Sequence, residues 1–325
     1  MIKRLALLAG ILAGILGVVM APAAPAADWP NRPIRLVVPY AAGGQSDVVA
    51  RVFAEALSTA FGQQFFIENQ AGAGGAIAAR NVARAEPDGY TLMITGWGTH
   101  VLAPALNKNA GFDPLGEFTH IAFIGGSPNA FVVHPSTGVK TFDGFMAWVK
   151  SAPGGVEYVS PGLGSGGNSV AEYFAAKAGV KLVHVPHRGG GTAMGDLIAG
   201  HTKMGSLTWA TAREQVKAGT VLPIAVSSAE RLPDFPDIPT LKELGYPDIV
   251  TTTWLSLSGP AGLPKDIADR LNREMNKALD KPQVRKHLEG DAFEIKAMSP
   301  AEVTALMKAE IDKWVPAMRE ALSIK

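Results

Sequence analysis

The sequence predicts an α/β fold in which short apolar strands alternate with helices. Hydrophobic residues make up 47% of the 325 residues and charged residues 18%, which is enough apolar material for a large core. Short β-branched runs recur along the chain, and small-residue loops and helical apolar spacing follow them. Strand, loop and helix in repeated order are typical of parallel strands joined by crossover helices.

The first series of elements lies between residues 34 and 95. The run 34–38 is β-branched and apolar, and in 47–61 the residues Val49, Val52, Phe53 and Ala56 recur at helical spacing. The same reasoning gives a strand at 65–67, a helix at 76–84 and a strand at 90–95. Glycine-rich loops separate each strand from the helix after it, as expected for crossover units.

The second series follows the same alternation. Its predicted strands are 120–124, 130–134, 156–160, 182–185, 204–207 and 221–226, and its predicted helices are 142–150, 169–178, 192–199 and 210–218. A proline-rich stretch then leads to two amphipathic helices, 267–279 and 300–322. Ser299 and Pro300 suit the N-cap and first position of the last helix. There is no repeat and no low-complexity linker, so the two series are joined by short crossings.

The N-terminal residues 1–26 are predicted to be a secretory signal peptide. Lys3 and Arg4 precede an apolar run at 5–20, and the stretch Ala24-Pro25-Ala26 fits the A-x-A cleavage pattern. A membrane anchor is the alternative, but sixteen apolar residues are short for a span, which needs about 20. We therefore expect export with cleavage, and a protein that works in the periplasm.

Charge and composition exclude several classes of function. The formal net charge of +1 argues against a general nucleic-acid binder, which needs a strongly basic face. The chain has no cysteine, which excludes disulfides, thiolate metal sites, cysteine nucleophiles and a lipoprotein anchor. No cofactor is expected either.

Three glycine-rich loops carry most of the chemical information. The loops 39–47 and 160–168 each join a strand to a helix, and 69–75 is a third loop of the same type. Helix N-termini present unpaired N–H groups and a partial positive charge, and glycine allows an anion to approach the backbone. One such loop is most simply a tight turn, but three in one chain favour an anion or carboxylate site.

Catalytic and cofactor motifs are not found. Gly162–Gly167 matches G-x-G-x-x-G, but the next strand ends in His184-Val-Pro-His187, without the acidic residue that would bind a ribose. Neither Ser46 nor Ser165 lies in a G-x-S-x-G elbow, and the histidines show no metal-binding spacing. His187 is interpreted as a residue of the pocket lining, and Trp97 and Trp209, near strand ends, as walls of a cleft for an organic ligand.

Six motifs occur in order along the chain: Arg32-Pro-Ile-Arg-Leu-Val-Val-Pro39, Ala42-Gly-Gly-Gln-Ser-Asp47, Glu68-Asn-Gln-Ala-Gly-Ala-Gly-Gly75, Ala85-Glu-Pro-Asp-Gly-Tyr-Thr-Leu92, Val185-Pro-His-Arg-Gly-Gly-Gly191 and Pro260-Ala-Gly-Leu-Pro264. Through these motifs the sequence resembles the Bug-type solute-binding proteins, the periplasmic receptors of tripartite tricarboxylate transporters. The resemblance covers essentially the whole chain after residue 26. The resemblance implies a two-lobed type II periplasmic-binding-protein (Venus flytrap) fold, with one lobe at 27–127 plus 251–325 and the other at 128–250.

The resemblance also implies a function without catalysis. A small organic carboxylate is captured between the lobes and delivered to the membrane permease subunits of the transporter, and the receptor is expected to be a monomer. The residues implied in ligand binding are Tyr40, Ala42, Gly43, Gly44, Gln45, Ser46, Asp47, Asn69, Gly72, Gly74, Trp97, Thr99, Ser160, Gly164, Ser165, Gly166, Asn168, His187 and Trp209. Two readings stay open beside this one: a secreted hydrolase or isomerase, and a receptor that feeds a sensor.

The backbone is expected to hold the carboxylate, through the N–H groups of residues 42–45 and 165–168. Asp47 would then be an N-cap that orders its loop, because two carboxylates in contact repel each other. Arg188 and Lys203 are the alternative anchors. His187 and Asn168 stand where the family often has Tyr and His, so the sequence leaves open which carboxylate is bound.

Overall fold

The computed structural model describes residues 29–107 and 110–322. The described residues from Arg32 onward form one compact unit. The predicted signal peptide, 1–26, lies outside the described residues. Within the described part of the chain, no helix is both long enough and apolar enough to cross a membrane.

The first series has three parallel strands. Its elements are β1 (Ile34–Val38), α1 (Gln45–Phe61), β2 (Phe65–Asn69), α2 (Ala76–Ala83) and β3 (Thr91–Gly96). Strand β1 lies between β2 and β3 and runs parallel to both. The side chains of Ile34, Leu36 and Val38 are completely buried, which explains why this β-branched, apolar run forms a central strand. A π-helix at Trp97–Leu102 and the short α3 (Ala103–Leu106) follow β3 and were not predicted.

The second series is built in the same way. Its elements are β4 (Phe118–Val133), α4 (Phe142–Ser151), β5 (Val156–Ser160), α5 (Gly166–Ala178), β6 (Leu182–Pro186), α6 (Gly190–Ile198), β7 (Met204–Thr208), α7 (Trp209–Lys217) and β8 (Leu222–Val226). Strand β5 runs parallel to both β6 and β7. Helix α5 begins at Gly166, before the predicted start at 169, and α6 begins at Gly190, before the predicted start at 192. The first residues of both helices therefore belong to the glycine loops.

Two long strands connect the series and correct the prediction of a parallel sheet. The segments 120–124 and 130–134, predicted as two strands, are one continuous strand, β4. Strand β9 (Thr252–Pro260), which was not predicted, runs antiparallel to β3 and to residues 118–128 of β4. Residues 129–133 of β4 pair antiparallel with β7 and β8. The sheet is therefore mixed, with the order β2-β1-β3-β9-β4-β7-β5-β6 and with β8 on β4.

Three helices complete the chain: α8 (Lys265–Leu279), α9 (Pro282–Gly290) and α10 (Pro300–Ala321). The predicted cap of α10 is present as a capping box between Ser299 and Glu302. Trp314 of α10 packs edge-on against Trp97, at 5.3 Å between ring centres, and against Tyr173 of α5, at 6.0 Å. The last helix therefore contacts both series through one aromatic cluster.

Candidate functional site

The loop before α1 is held in shape by Asp47. Its carboxylate accepts hydrogen bonds from the Gly43 N–H (3.0 Å), from the Arg51 guanidinium (2.9 and 3.1 Å) and from the Asn69 amide (3.0 Å). The same Asn69 nitrogen donates to the Tyr40 carbonyl at 3.0 Å. The prediction that Asp47 is the N-cap is wrong, because Gly44 is the N-cap and α1 begins at Gln45. Asp47 orders the loop from the third helical position.

Electrostatics keep the Asp47 carboxyl ionised. Burial raises its pKa, but hydrogen bonds from Arg51, the Gly43 N–H and Asn69, with the nearby Arg51 charge, outweigh this effect and hold the pKa below its ordinary value. The side chain of Asp47 is 5% exposed and that of Arg51 is 55% exposed. The negative charge is therefore neutralised by a cation that reaches solvent.

The loop before α5 is ordered by its own polar side chains. Ser165 is the N-cap, and its hydroxyl accepts the Asn168 N–H at 3.3 Å. The Asn168 side chain accepts the Gly164 N–H at 2.9 Å and donates to the Tyr158 hydroxyl at 2.8 Å. Ser160 shares a 2.7 Å hydrogen bond with His184 behind the loop. Asn168 and Ser160 thus support the loop through their side chains.

Two further helix starts meet these loops. Helix α6 begins at Gly190 after an N-cap glycine, and α7 begins after Thr208. The Ala41 N–H donates to the Arg188 carbonyl at 2.8 Å, so the loop before α1 contacts the loop before α6. A Cβ atom on Gly189 would lie 2.9 Å from the Ala41 nitrogen. Glycine is therefore required for this close approach of two backbones.

A cavity of about 30 Å³ lies where the four helices begin. It is lined by Tyr40, Gly44, Gln45, Ser46, Pro161, Ser165, Gly166, Gly167, Gly190, Thr208, Thr211 and Thr253. None of these described lining residues has a side chain that is charged at neutral pH, since burial raises the pKa of Tyr40. Since about 10–15 Å³ of such space holds one water molecule, the cavity has room for a group of about two or three heavy atoms, such as the head of a carboxylate. Among the described lining groups, the positive charge is the partial charge of the helix N-termini.

Several N–H groups remain available at these helix starts. In the described part of the chain, the N–H groups of Gly43, Ser165 and Asn168 are engaged within their own loops. No described hydrogen bond engages the N–H groups of Gln45, Ser46, Gly166 and Gly167, the first two residues of α1 and of α5. The first N–H groups of a helix have no partner within that helix. Of the predicted donors at 42–45 and 165–168, the N–H groups of Gly43, Ser165 and Asn168 are therefore engaged, and the Ser46 N–H is a donor that the sequence did not predict.

An open cleft of about 360 Å³ adjoins the cavity. Tyr40 and Pro161 line both spaces, and the cleft is further lined by Gly72, Ala73, Gly74, Gly162, Leu163, Pro186, His187 and Arg188. The His187 Nε2 atom lies 3.8 Å from a carboxylate oxygen of Asp196. The cleft has room for the body of a small organic molecule whose head group occupies the cavity.

The structure divides the predicted site residues into three groups. Residues at the cavity or the cleft are Tyr40, Gly44, Gln45, Ser46, Gly72, Gly74, Ser165, Gly166 and His187. Residues that shape or neighbour the loops are Ala42, Gly43, Asp47, Asn69, Thr99, Ser160, Gly164 and Asn168. The interpretation of two tryptophans as cleft walls is wrong, because Trp97 and Trp209 are 1% exposed and belong to apolar cores.

Sequence reasoning missed four cavity residues that carry polar groups: Gly190, Thr208, Thr211 and Thr253. The sequence shows three consecutive glycines at 189–191, but His187 was the only residue of this segment predicted to line the site. Thr253 lies on β9, and the run from Thr252 to Gly259 has the β-branched, alternating pattern of a strand. That signal could have found both the strand and its site residue.

Glycine loops at converging helix starts, on a mixed α/β sheet with an adjoining cleft, define a binding protein for a small solute. The family model described as "Tripartite tricarboxylate transporter family receptor" matches residues 49–322. The chain belongs to this receptor family. It is similar to protein BugT of Bordetella pertussis, with 30% identity over 315 residues, 95% of this chain and 97% of that protein. The prediction of a Bug-type receptor, and not an enzyme, is confirmed.

Solved structures of the same fold agree. Periplasmic binding protein BugD has a TM-score of 0.86 and 29% identity, covering 90% of this chain and 98% of that one. A protein of R. palustris with adipate has a TM-score of 0.87 and 32% identity, with 90% and 98% coverage. MatC of Rhodopseudomonas palustris with bound malate has a TM-score of 0.86 and 30% identity, with 89% and 100% coverage. The two-lobed periplasmic-binding-protein fold predicted from the sequence is confirmed.

Proposed function

We propose that the cavity binds one carboxylate group of a small organic acid, and that the rest of the acid occupies the adjoining cleft. The single observation that carries the proposal is the convergence of four helix N-termini, of α1, α5, α6 and α7, on one cavity. Each helix start supplies a partial positive charge, and the free N–H groups of α1 and α5 can donate charge-assisted hydrogen bonds. A carboxylate bound there needs no buried cation as its partner.

The similar structures support the chemical class. The R. palustris protein holds adipate and MatC holds malate, both carboxylates, and both proteins share this fold at 30% identity or above. We infer that this chain likewise takes a small carboxylate. The residues that would contact the head group are Gln45, Ser46, Gly166 and Gly167, through their N–H groups, with the Thr208 and Thr211 hydroxyls beside them.

The biological setting follows from the family. We propose that residues 1–26 direct export and are removed, and that the mature receptor works in the periplasm as a monomer. It would deliver its ligand to the membrane permease subunits of a tripartite tricarboxylate transporter. We also propose lobe boundaries at 27–127 plus 251–325 and at 128–250. This division is supported by the change of pairing partners of β4, from β9 to β7 and β8, between residues 128 and 129.

A thermal-shift screen of mono-, di- and tricarboxylates and aromatic acids tests the proposal. A ligand that binds only the folded state stabilises it by about 2.7 kcal/mol at 100 times its dissociation constant. We expect at least one acid to raise the unfolding temperature, and its uncharged amide analogue to give no shift. If no carboxylate stabilises the protein at millimolar concentration, the proposed function is wrong.

A further inference from the structure

Gln45 carries a polar atom that the helix starts do not explain. It is the first residue of α1, it lines the cavity, and its side chain is buried with the residue 7% exposed. Its amide nitrogen donates a 2.7 Å hydrogen bond to the Thr253 carbonyl. Its amide oxygen, Oε1, is buried and has no hydrogen-bond partner in the described structure.

The orientation of this amide is fixed by its partner. A carbonyl oxygen accepts hydrogen bonds only, so the atom of Gln45 that faces the Thr253 carbonyl must be the nitrogen. Rotating the amide by half a turn would place two acceptors at 2.7 Å, which is repulsive. The other end of the amide is therefore the oxygen Oε1, which can only accept a hydrogen bond. Leaving this acceptor without a donor costs free energy.

A carboxylate in the cavity cannot satisfy this acceptor, because an ionised carboxylate accepts hydrogen bonds and has none to donate. A ligand satisfies this acceptor only through a donor on another part of the molecule, close to the carboxylate, since the cavity is only about 30 Å³ in volume. We infer that the preferred ligands are carboxylic acids with a hydroxyl group on the carbon next to the carboxylate, and that Gln45 Oε1 accepts the hydrogen bond of that hydroxyl. This inference rests on the carboxylate site proposed above.

Hydroxyl recognition gives the site a means of selection. A site built to hydrogen-bond a substrate hydroxyl discriminates strongly against the analogue without it, because the buried polar group of the protein is then left unpaired. Gln45 would set this preference, while the helix N-termini would bind the carboxylate of any acid that fits. The glutamine, and not the glycines of the loop, is then the specificity-determining residue for the head of the ligand.

Paired acids test the inference by isothermal titration: lactate against propionate, and malate against succinate. We expect the 2-hydroxy acid of each pair to bind about tenfold more tightly to the wild-type protein. In Gln45→Met, which keeps the length of the side chain and removes both polar atoms, both acids bind more weakly and the ratio falls to about one. Gln63→Met, at a glutamine that does not line the cavity, keeps the wild-type ratio.

The outcomes separate this inference from the function on which it rests. Equal affinity of wild-type protein for the hydroxy and deoxy acids would show that only water satisfies Oε1, and it would overturn the inference while the carboxylate receptor stands. A preference that persists in Gln45→Met would also overturn it, because the hydroxyl would then be recognised elsewhere. If neither member of either pair binds, and no other acid stabilises the protein, the proposed function itself fails.

Discussion

Replacing Gly166 by alanine tests whether the start of α5 forms the wall of the cavity. A Cβ atom at this position would lie 1.9 Å from the Thr253 hydroxyl oxygen and 3.0 Å from the Thr253 Cβ, far inside van der Waals contact. The Thr253 side chain must therefore rotate away. Its hydroxyl exchanges hydrogen bonds of 3.0 and 3.3 Å with the Asn129 side chain, which is 1% exposed. Rotation leaves that buried amide without its partner.

The size of the effect follows from the lost pair. An unsatisfied buried polar group costs about 1–3 kcal/mol, and because the free and the liganded protein both bear this cost, Gly166→Ala should lower the free energy of unfolding by about that amount. Because Thr253 lines the cavity, its displaced side chain takes up space meant for the ligand, and we expect Gly166→Ala also to weaken carboxylate binding by about tenfold or more. Isothermal titration with the acid that gives the largest thermal shift measures this change. A dissociation constant within twofold of the wild-type value would refute the placement of α5 at the site.

Alanine substitutions at two other glycines serve as controls for Gly166→Ala. Gly195 lies inside α6 with no atom within 4 Å of an added Cβ, so Gly195→Ala should leave binding unchanged and raise stability by about 0.5–1 kcal/mol. Gly43 has space for a Cβ, whose nearest neighbour lies at 3.8 Å, but its φ of +85° is left-handed. Gly43→Ala should therefore cost about 1–2 kcal/mol of backbone strain, without the steric displacement expected at Gly166.

Three further predictions concern the groups around the site and in the core. Asp47→Ala leaves the donors of the α1 loop unsatisfied and should lower the free energy of unfolding by about 2–3 kcal/mol in urea titrations, with weaker ligand binding. Burial lowers the pKa of His120 to about 4, so the unfolded chain binds more protons between pH 6.5 and 4. His120 alone should lower stability by about 3 kcal/mol over that window as pH decreases, and His120→Gln should make the profile shallower by about this amount, leaving the contributions of His100 and His184, whose pKa values burial also lowers. Arg188→Ala and Lys203→Ala should each leave the affinity for a monocarboxylate within about threefold in titrations, because neither residue lines the cavity that takes the carboxylate and Arg188 lines only the adjoining cleft.

The local pattern of the sequence predicted the strand–helix units well, because each unit is specified by residues adjacent in the chain. Strand β1 was placed at its observed residues, and α1, α2 and α5 were found within a few residues of their ends. Periodicity placed the start of α5 at residue 169, whereas the helix begins at Gly166. Glycine has a low helix propensity, so a prediction made from the spacing of apolar residues leaves out the glycines at the start of this helix. This difference matters because the first turn supplies the free N–H groups.

Long-range pairing was the part that the sequence could not supply. Strand β4 was read as two strands because Gly125 and Gly126 interrupt its apolar run, yet both residues lie inside the continuous strand. An added Cβ on Gly126 would lie 2.8 Å from the Trp254 Cα, so the glycine is needed where β9 packs against β4. A glycine in an apolar run can mark an interruption between two strands, or the close approach of another backbone within one strand. Only the position of the partner strand distinguishes these two cases.

The same limitation explains why Thr253 was missed, although three features of the site depend on it. Its carbonyl fixes the Gln45 amide, its hydroxyl pairs with Asn129 of β4, and its side chain excludes any residue larger than glycine at position 166. Strands β9 and β4 are also the strands that connect the two series. A ligand that engages Gln45 and the start of α5 is therefore coupled to the strands between the series. Thr253 is the residue through which the starts of both α1 and α5 meet these strands.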